Sequence, residues 1–395
     1  MRNNQKTVLK QTLTQTLIFG FFTLSVVFAQ TQMGSDIDGE AAGDRSGFSV
    51  SLSSDGNRVA IGAPYNDATG VDWGQVRVYE FNSGSWTQLG ADIDGEAAFD
   101  NAGWSVSLSS DGNTVAIGAL YNDGNGNSSG HVRVYNYSSG TWIQLGSDID
   151  GEAGADGSGR SVSLSSDGNR VAIGAPGNDG NGSDAGHVRV YNYNSGSWSQ
   201  LGADIDGEAA GDNSGFSVSL SSDGNRVAIG AYWNDGNGSD AGHVRVYSYN
   251  GSTWTQLGGD IDGEASSDAS GISVSLSSDG NRVAIGANEN DGSANNSGHV
   301  RVYSYNGTNW TQLGSDIDGE AASDNSGKSV SLSPDGNRVA IGAHINDGNG
   351  NASGHVRIYN YSSGTWTQLG SDMDGEVGGD NLGKSVSLSS DGDRV

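Results

Sequence analysis

The chain runs to 395 residues with 65 glycines, no cysteine and 47 acidic against 19 basic side chains, a formal net charge of −28 at pH 7. The lack of cysteine excludes disulfides, thiolate metal sites and a lipoprotein anchor. The charge disfavours nucleic acid and anionic membranes as partners and favours cations and cationic groups. Residues 1–29 carry Arg2, Lys6 and Lys10, then an apolar stretch from Leu17 to Phe28, closed by Val27-Phe28-Ala29. That order reads as a secretory signal peptide, too short for a membrane span. Beyond it, 16 basic residues face 47 acidic ones, a net of −31, and no segment is apolar enough to cross a bilayer. Val, Ile and Leu recur with a strict period that disordered chains lack.

From residue 35 onward one unit repeats. Trp86, Trp142, Trp198, Trp254, Trp310 and Trp366 lie 56 residues apart, and Asp38, Asp94, Asp150, Asp206, Asp262, Asp318 and Asp374 keep the same spacing. The copies are 35–90, 91–146, 147–202, 203–258, 259–314 and 315–370, with a partial seventh at 371–395. In the first copy Phe48, Val50 and Leu52 alternate with Ser49, Ser51 and Ser53, the period of a strand. Asp55-Gly56 marks a hairpin turn, and Arg58 to Ala63 is the second strand. Loop parity sets Leu52 opposite Val59 and Val50 opposite Ile61. Pro334 in the equivalent turn favours a four-residue loop, because a tighter one would lose a ladder donor. A longer loop, 64–74, leads to a third strand, Gln75 to Phe81. Ser83-Gly84 then turns the chain into a fourth strand from Trp86, with Val78 beside Leu89 and Phe81 beside Trp86.

Each such sheet has one face of Val, Ile and Leu. The other is Ser, Ala and Gly on the first two strands but Arg77, Tyr79, Phe81 and Trp86 on the last two. A small-to-large gradient fills the wedge between sheets that radiate from an axis. The expected fold is all-β: a propeller of four-stranded antiparallel blades, six complete and a partial seventh, with the first strand innermost and Trp between blades. Thr31-Gln32-Met33-Gly34 matches Thr87-Gln88-Leu89-Gly90. The N-terminal end is therefore expected to supply the fourth strand of a seventh blade whose first strands come from 371–395. This predicts a seven-bladed ring in a protein extending beyond Val395, and a partly open ring for residues 30–395.

The unit resembles the FG-GAP repeat, the blade of the integrin alpha-chain propeller, in its short bacterial variant. The resemblance rests on Gly47-Phe48-Ser49-Val50, on Gly62-Ala63-Pro64 and Gly174-Ala175-Pro176, and on Gly74-Gln75-Val76-Arg77-Val78-Tyr79. It covers essentially all of 30–395 and implies the same propeller. The family's calcium loop between the first two strands does not carry over: Ser54-Asp55-Gly56-Asn57 is too short to supply six or more oxygens.

Both long connections of each blade fall on one rim, and loops on a rigid scaffold are where binding usually resides. That rim carries the metal candidates. They are Asp36, Asp38, Glu40 and Asp44; Asp92, Asp94, Glu96 and Asp100; Asp148, Asp150, Glu152 and Asp156; Asp204, Asp206, Glu208 and Asp212; Asp260, Asp262, Glu264 and Asp268; and Asp316, Asp318, Glu320 and Asp324. Alternating acids around a turn-forming glycine concentrate the hard oxygens that calcium takes; the competing reading is a solubilising acidic rim. His131, His187, His243, His299 and His355 stand one per blade, with Gln75 in that place in the first copy. The radial geometry keeps them from sharing a zinc ion, so they read as structural. No nucleophile, base and orienter assemble from residues that all repeat.

The function expected from sequence is an exported, non-enzymatic propeller, secreted or on the cell surface, acting in adhesion or ligand binding through its acidic rim. Its partner would be an extracellular protein or glycan, cationic or bridged by calcium, with no nucleic acid and no membrane insertion. The alternative is a scaffold or carbohydrate-recognition propeller attached to a catalytic or sorting domain beyond residue 395.

Overall fold

Strand alternation and the Asp-Gly turns build the same meander in every copy. The computed structural model describes residues 30–67 and 70–395; the expected signal peptide lies outside the described residues. In the first blade the strands are Ser49–Leu52, Arg58–Ala63, Gln75–Asn82 and Ser85–Gln88, hydrogen-bonded in chain order. The registers are those expected: Leu52 opposite Val59, Val50 opposite Ile61, Phe81 opposite Trp86. Ser53 N–H donates to Arg58 O at 2.9 Å, which closes a four-residue loop. A short strand in the next connection, Ile93–Asp94, pairs back onto the third strand and stitches that long loop to the blade it leaves. Six such sheets follow one another. Among the described residues no helix is long and apolar enough to cross a membrane.

The core lies between blades. Val76, Val78 and Ile93 of the first blade pack against Val106, Leu108, Val115 and Ile117 of the second, with Trp142 at the outer edge. Each indole of the repeating Trp series donates across the gap, as Trp142 Nε1 does to Leu89 O at 2.7 Å. At the inner end of the second strand there is no room for a side chain: a Cβ on Gly118 would stand 2.2 Å from the carbonyl oxygen of Gly159 in the next blade. Small residues inside and indoles outside are thus imposed by the wedge.

The first strands line the axis and are linked around it. Ser54 N donates to Ser110 O, Ser110 to Ser166, Ser166 to Ser222, Ser222 to Ser278, and Ser278 to Pro334, each at 2.9 Å. Ser390 N donates to Ser54 O at 2.7 Å. Seven positions therefore surround the axis, and the link from 334 to 390 is missing because proline has no N–H. Ser385 Oγ bonds Gly47 O at 2.9 Å, as Ser49 Oγ bonds Gly103 O at 2.8 Å. Met33 O accepts from Trp86 Nε1 at 2.7 Å, the role that Leu89 O has for Trp142. The two ends of the described chain meet in this seventh sector, where they form no complete sheet of their own.

Candidate functional site

The long-loop rim holds two distinct arrangements, one repeating and one not. They contain all six buried side-chain polar atoms that lack a hydrogen-bond partner among the described residues: Gln75 Oε1, His131 Nε2 and His243 Nε2 in the first, Trp104 Nε1, Asn288 Oδ1 and His344 Nδ1 in the second. Buried polar groups are normally satisfied, so this concentration singles out the rim.

In the repeating arrangement the four carboxylates of one loop separate. Asp44 and its equivalents are buried and turned into their own loop: Asp44 Oδ2 accepts from Ala41 N at 3.0 Å and Asn66 Nδ2 at 2.9 Å, and Asp100 repeats this with Ala97 and Asn122. Asp94 sits on the short strand opposite Gln75. Burial raises its pKa, with the charges of Asp92 and Glu40 adding to the effect and a hydrogen bond from Gln75 opposing it. The leading Asp and the Glu do meet, but from consecutive loops, and they meet at the histidine. The groups are Glu96, His131 and Asp148; Glu152, His187 and Asp204; Glu208, His243 and Asp260; Glu264, His299 and Asp316; Glu320, His355 and Asp372. Within each group, one potential ligand atom per residue lies within 4.8 Å of the others, a geometry able to hold a metal ion. The histidines are thus one per cleft, as the ring dictates, and each has two carboxylates that sequence spacing hides.

The second arrangement sits where the first strands begin, around the axis. The residue after the glycine of "G-x-S-V" is Phe48, Trp104, Arg160, Phe216, Ile272, Lys328 and Lys384 in the seven copies. The residues after "GA" are equally variable and include Tyr65, Tyr121, Tyr232-Trp233, Asn288-Glu289 and His344. Neighbouring sectors bring these side chains together. Phe48 and Trp104 stack with centroids 4.8 Å apart, and the Arg160 guanidinium lies 5.4 Å from the Trp104 ring and 3.8 Å from Phe216. Lys384 Nζ stands 5.3 Å from the Phe48 ring, and Arg45 lies 4.5 Å from that of Tyr65. Tyr232 packs on Phe216 and on the exposed Trp233.

Desolvation and mutual repulsion govern this mouth. Burial brings Arg160 down to about 10. Burial, then the charges of Lys384 and Arg160, brings Lys328 down to about 8. Lys384 is lowered by burial and by Arg160 and Arg45. Burial and the two lysines take His344 to about 4, and burial takes Tyr232 to about 12. No ion pair or side-chain hydrogen bond involves Arg45, Arg160, Lys328 or Lys384 among the described residues. Four cations thus converge, three of them beside aromatic faces, in a strongly acidic protein. The overlooked signal was in the sequence: these columns, and that of Arg45, vary while the strand residues around them repeat.

Residues 204–247 match the FG-GAP repeat family. No curated protein matches the sequence. Among solved structures, a candidate 6-phosphogluconolactonase from Bacteroides uniformis is 13% identical with a TM-score of 0.58, covering 84% of this chain and 86% of that one. The periplasmic gluconolactonase of Pseudomonas aeruginosa is 16% identical with a TM-score of 0.54, covering 84% and 85%. Hydrazine synthase of Kuenenia stuttgartiensis is 14% identical with a TM-score of 0.55, covering 92% and 94%. At such identities the likeness shows the fold alone. The expectation of a non-enzymatic adhesion module runs against these findings, since the solved propellers that share the fold carry the names of enzymes. The physical reason is the second arrangement: that expectation considered only residues that repeat.

Proposed function

This chain is an FG-GAP-repeat β-propeller, and on that premise we propose that it is a hydrolase acting on small anionic, ring-shaped substrates at the axial mouth, with sugar-acid lactones as the substrate class. The observation that carries the reading is the convergence of Arg45, Arg160, Lys328 and Lys384, all outside the repeat pattern, three of them beside aromatic faces and none in an ion pair among the described residues, with Glu289 the one acidic charge acting on Lys328. Cations so arranged bind a carboxylate or phosphate, and the aromatic faces take the ring of the substrate. The names of the lactonase neighbours support the reaction class. Lys328, near 8, is matched to proton transfer at neutral to mildly alkaline pH. In the proposed step Lys328 takes a proton from water as its oxygen bonds to the acyl carbon. Arg160 and Lys384 stabilise the oxyanion. The ring C–O bond then breaks and the ring oxygen receives the proton, giving the hydroxy acid.

The signal-peptide pattern in residues 1–29 supports export, so the substrate would be met outside the cytoplasm. The test is hydrolysis of phosphorylated, carboxylated and neutral sugar lactones between pH 6 and 9, followed by proton release against the uncatalysed rate. Catalysis that prefers the anionic lactones and is lost in Lys328→Met supports the reading. No acceleration with any of them, or a rate indifferent to Lys328→Met and Arg160→Met, refutes it.

A further inference from the structure

Three of the rim clefts differ from the other three in a way that bears on what fills them. In the first blade Gln75 occupies the histidine position, and its amide donates to Glu40 Oε2 at 3.2 Å and Asp94 Oδ1 at 3.4 Å. The amide thereby ties down Glu40 and also Asp94, two residues beyond the leading Asp92 of that loop. In the fifth and sixth blades a guanidinium bridges the glutamate and the leading Asp of the next loop. Arg301 is bidentate to Asp316 at 2.9 Å and also pairs with Glu264; Arg357 is bidentate to Asp372 at 2.9 Å and pairs with Glu320. In the second, third and fourth blades the arginine reaches only the glutamate, at 3.2 to 3.3 Å.

Those three clefts are left with an imidazole facing unbridged carboxylates. His131, His187 and His243 are at most 2% exposed. His243 Nδ1 stands 3.9 Å from Glu208 Oε2 and 4.0 Å from Asp260 Oδ2, and His187 Nδ1 stands 3.9 Å from Glu152 Oε2. These separations are too long for hydrogen bonds, yet they are close to those of ligand atoms around a shared ion. Among the described residues, His131 Nε2 and His243 Nε2 have no hydrogen-bond partner. Each Asp keeps one oxygen on a glutamine, as Asp260 Oδ1 does with Gln256 at 2.6 Å, which leaves the other oxygen turned to the imidazole.

We infer that the clefts Glu96–His131–Asp148, Glu152–His187–Asp204 and Glu208–His243–Asp260 are binding sites for a divalent transition-metal ion. One imidazole and two carboxylates per cleft suit zinc, cobalt or manganese, whereas calcium takes oxygen ligands alone. The sites lie away from the axial mouth, so they hold neighbouring blades together and leave the chemistry there untouched. Because each ion ties a loop of one blade to the loop of the next, binding raises stability.

The chelator-stripped protein is titrated with Zn²⁺, with Co²⁺ as a visible-absorbing substitute, and with Ca²⁺. Bound metal is read by calorimetry and by the cobalt spectrum, and stability by thermal unfolding. Expected are about three equivalents of Zn²⁺, a higher Tm, and no displacement by Ca²⁺. The triple variant His131→Gln, His187→Gln, His243→Gln copies the arrangement of the first blade. It should remain folded, lose the cobalt spectrum and lose the zinc-dependent rise in Tm. Zinc binding that survives in this variant, sites that calcium fills equally well, or a folded wild-type chain that takes up no transition metal would each overturn the inference.

Discussion

Two sets of basic residues behave in opposite ways. Twelve recur from blade to blade, at the start of the second strand and in the third. Each is engaged by a neighbour: Arg170 Nη1 donates to Asn225 Oδ1 at 2.5 Å, and Arg133 Nη2 donates to Asp94 O at 2.8 Å. The four that do not recur, Arg45, Arg160, Lys328 and Lys384, have no such hydrogen-bonded partner among the described residues and crowd one another at the axis. The recurring set belongs to the wedge geometry, because every gap between blades poses the same packing problem. The other set breaks the symmetry and raises the electrostatic free energy of the empty protein. A repeat protein can tolerate that cost where the rest of the ring supplies the stability.

The sharpest way to break this comparison is kinetic. Lys328→Met should lower kcat/KM on an anionic lactone by about 10²- to 10⁴-fold, with an unchanged circular dichroism spectrum. Arg282→Met, from the recurring set, should leave kcat/KM within about 2-fold while lowering Tm by losing the charged hydrogen bonds of its guanidinium to Asp335 O, Gly336 O and Asn337 Oδ1. Equal losses in both variants would erase the distinction.

Next in size is the scaffold. Gly118→Ala drives a methyl into the Gly159 carbonyl, 2.2 Å from the new Cβ, and should cost about 3 kcal/mol in denaturant unfolding. A loss below about 1 kcal/mol would mean that the blades shift apart easily.

Lys328 also predicts a gain in stability. Its folded-state pKa of about 8 lies below the 10.5 of a free lysine. Between those values the unfolded chain binds more protons, so stability rises with pH across that window. Below pH 8 the charged amine is a constant penalty. Lys328→Met should therefore stabilise the inactive protein at pH 7 by on the order of 1–2 kcal/mol, discounted for partial solvent contact. Chemical denaturation at pH 7 and 10 checks this: the gain should shrink as the pH rises.

The smallest effect concerns the axial ring. Pro334→Ser restores the one N–H missing from the chain of serine bonds and should add about 0.5–1 kcal/mol. The check is slower exchange of the new amide together with a higher denaturation midpoint.

Much of this was legible in the sequence. The 56-residue period, the strand registers and the four-residue hairpin follow from alternation and turn chemistry, which act over a few residues. The cross-blade role of Trp142 and its equivalents followed from size alone. The metal groups were only half legible. Glu96 and Asp148 belong to different loops, and only the short strand Ile149–Asp150, pairing back onto Val132 and His131, brings Asp148 beside the histidine. The acids of a single loop look like a unit in the sequence, but Asp100 is withdrawn from it by the backbone of its own turn and by Asn122. The axial mouth was written in columns where the copies disagree, those of Arg45, of Phe48 and of the residues after Ala63. That disagreement gains meaning only once the first strand is known to face the axis.

By itself the sequence determined the unit: its strands, their order, its faces and the number of times it is used. Those depend on local periodicity and on side-chain volume, both of which survive in one dimension. Tertiary structure alone decided which residues of different copies become neighbours. Closing the units around an axis carries Arg160, Lys328 and Lys384 to one point, although 168 residues of chain separate the first from the second. It also sets each histidine between the acids of consecutive loops. Rotation about an axis places equivalent positions side by side, so any departure from the repeat there becomes a feature of the whole ring.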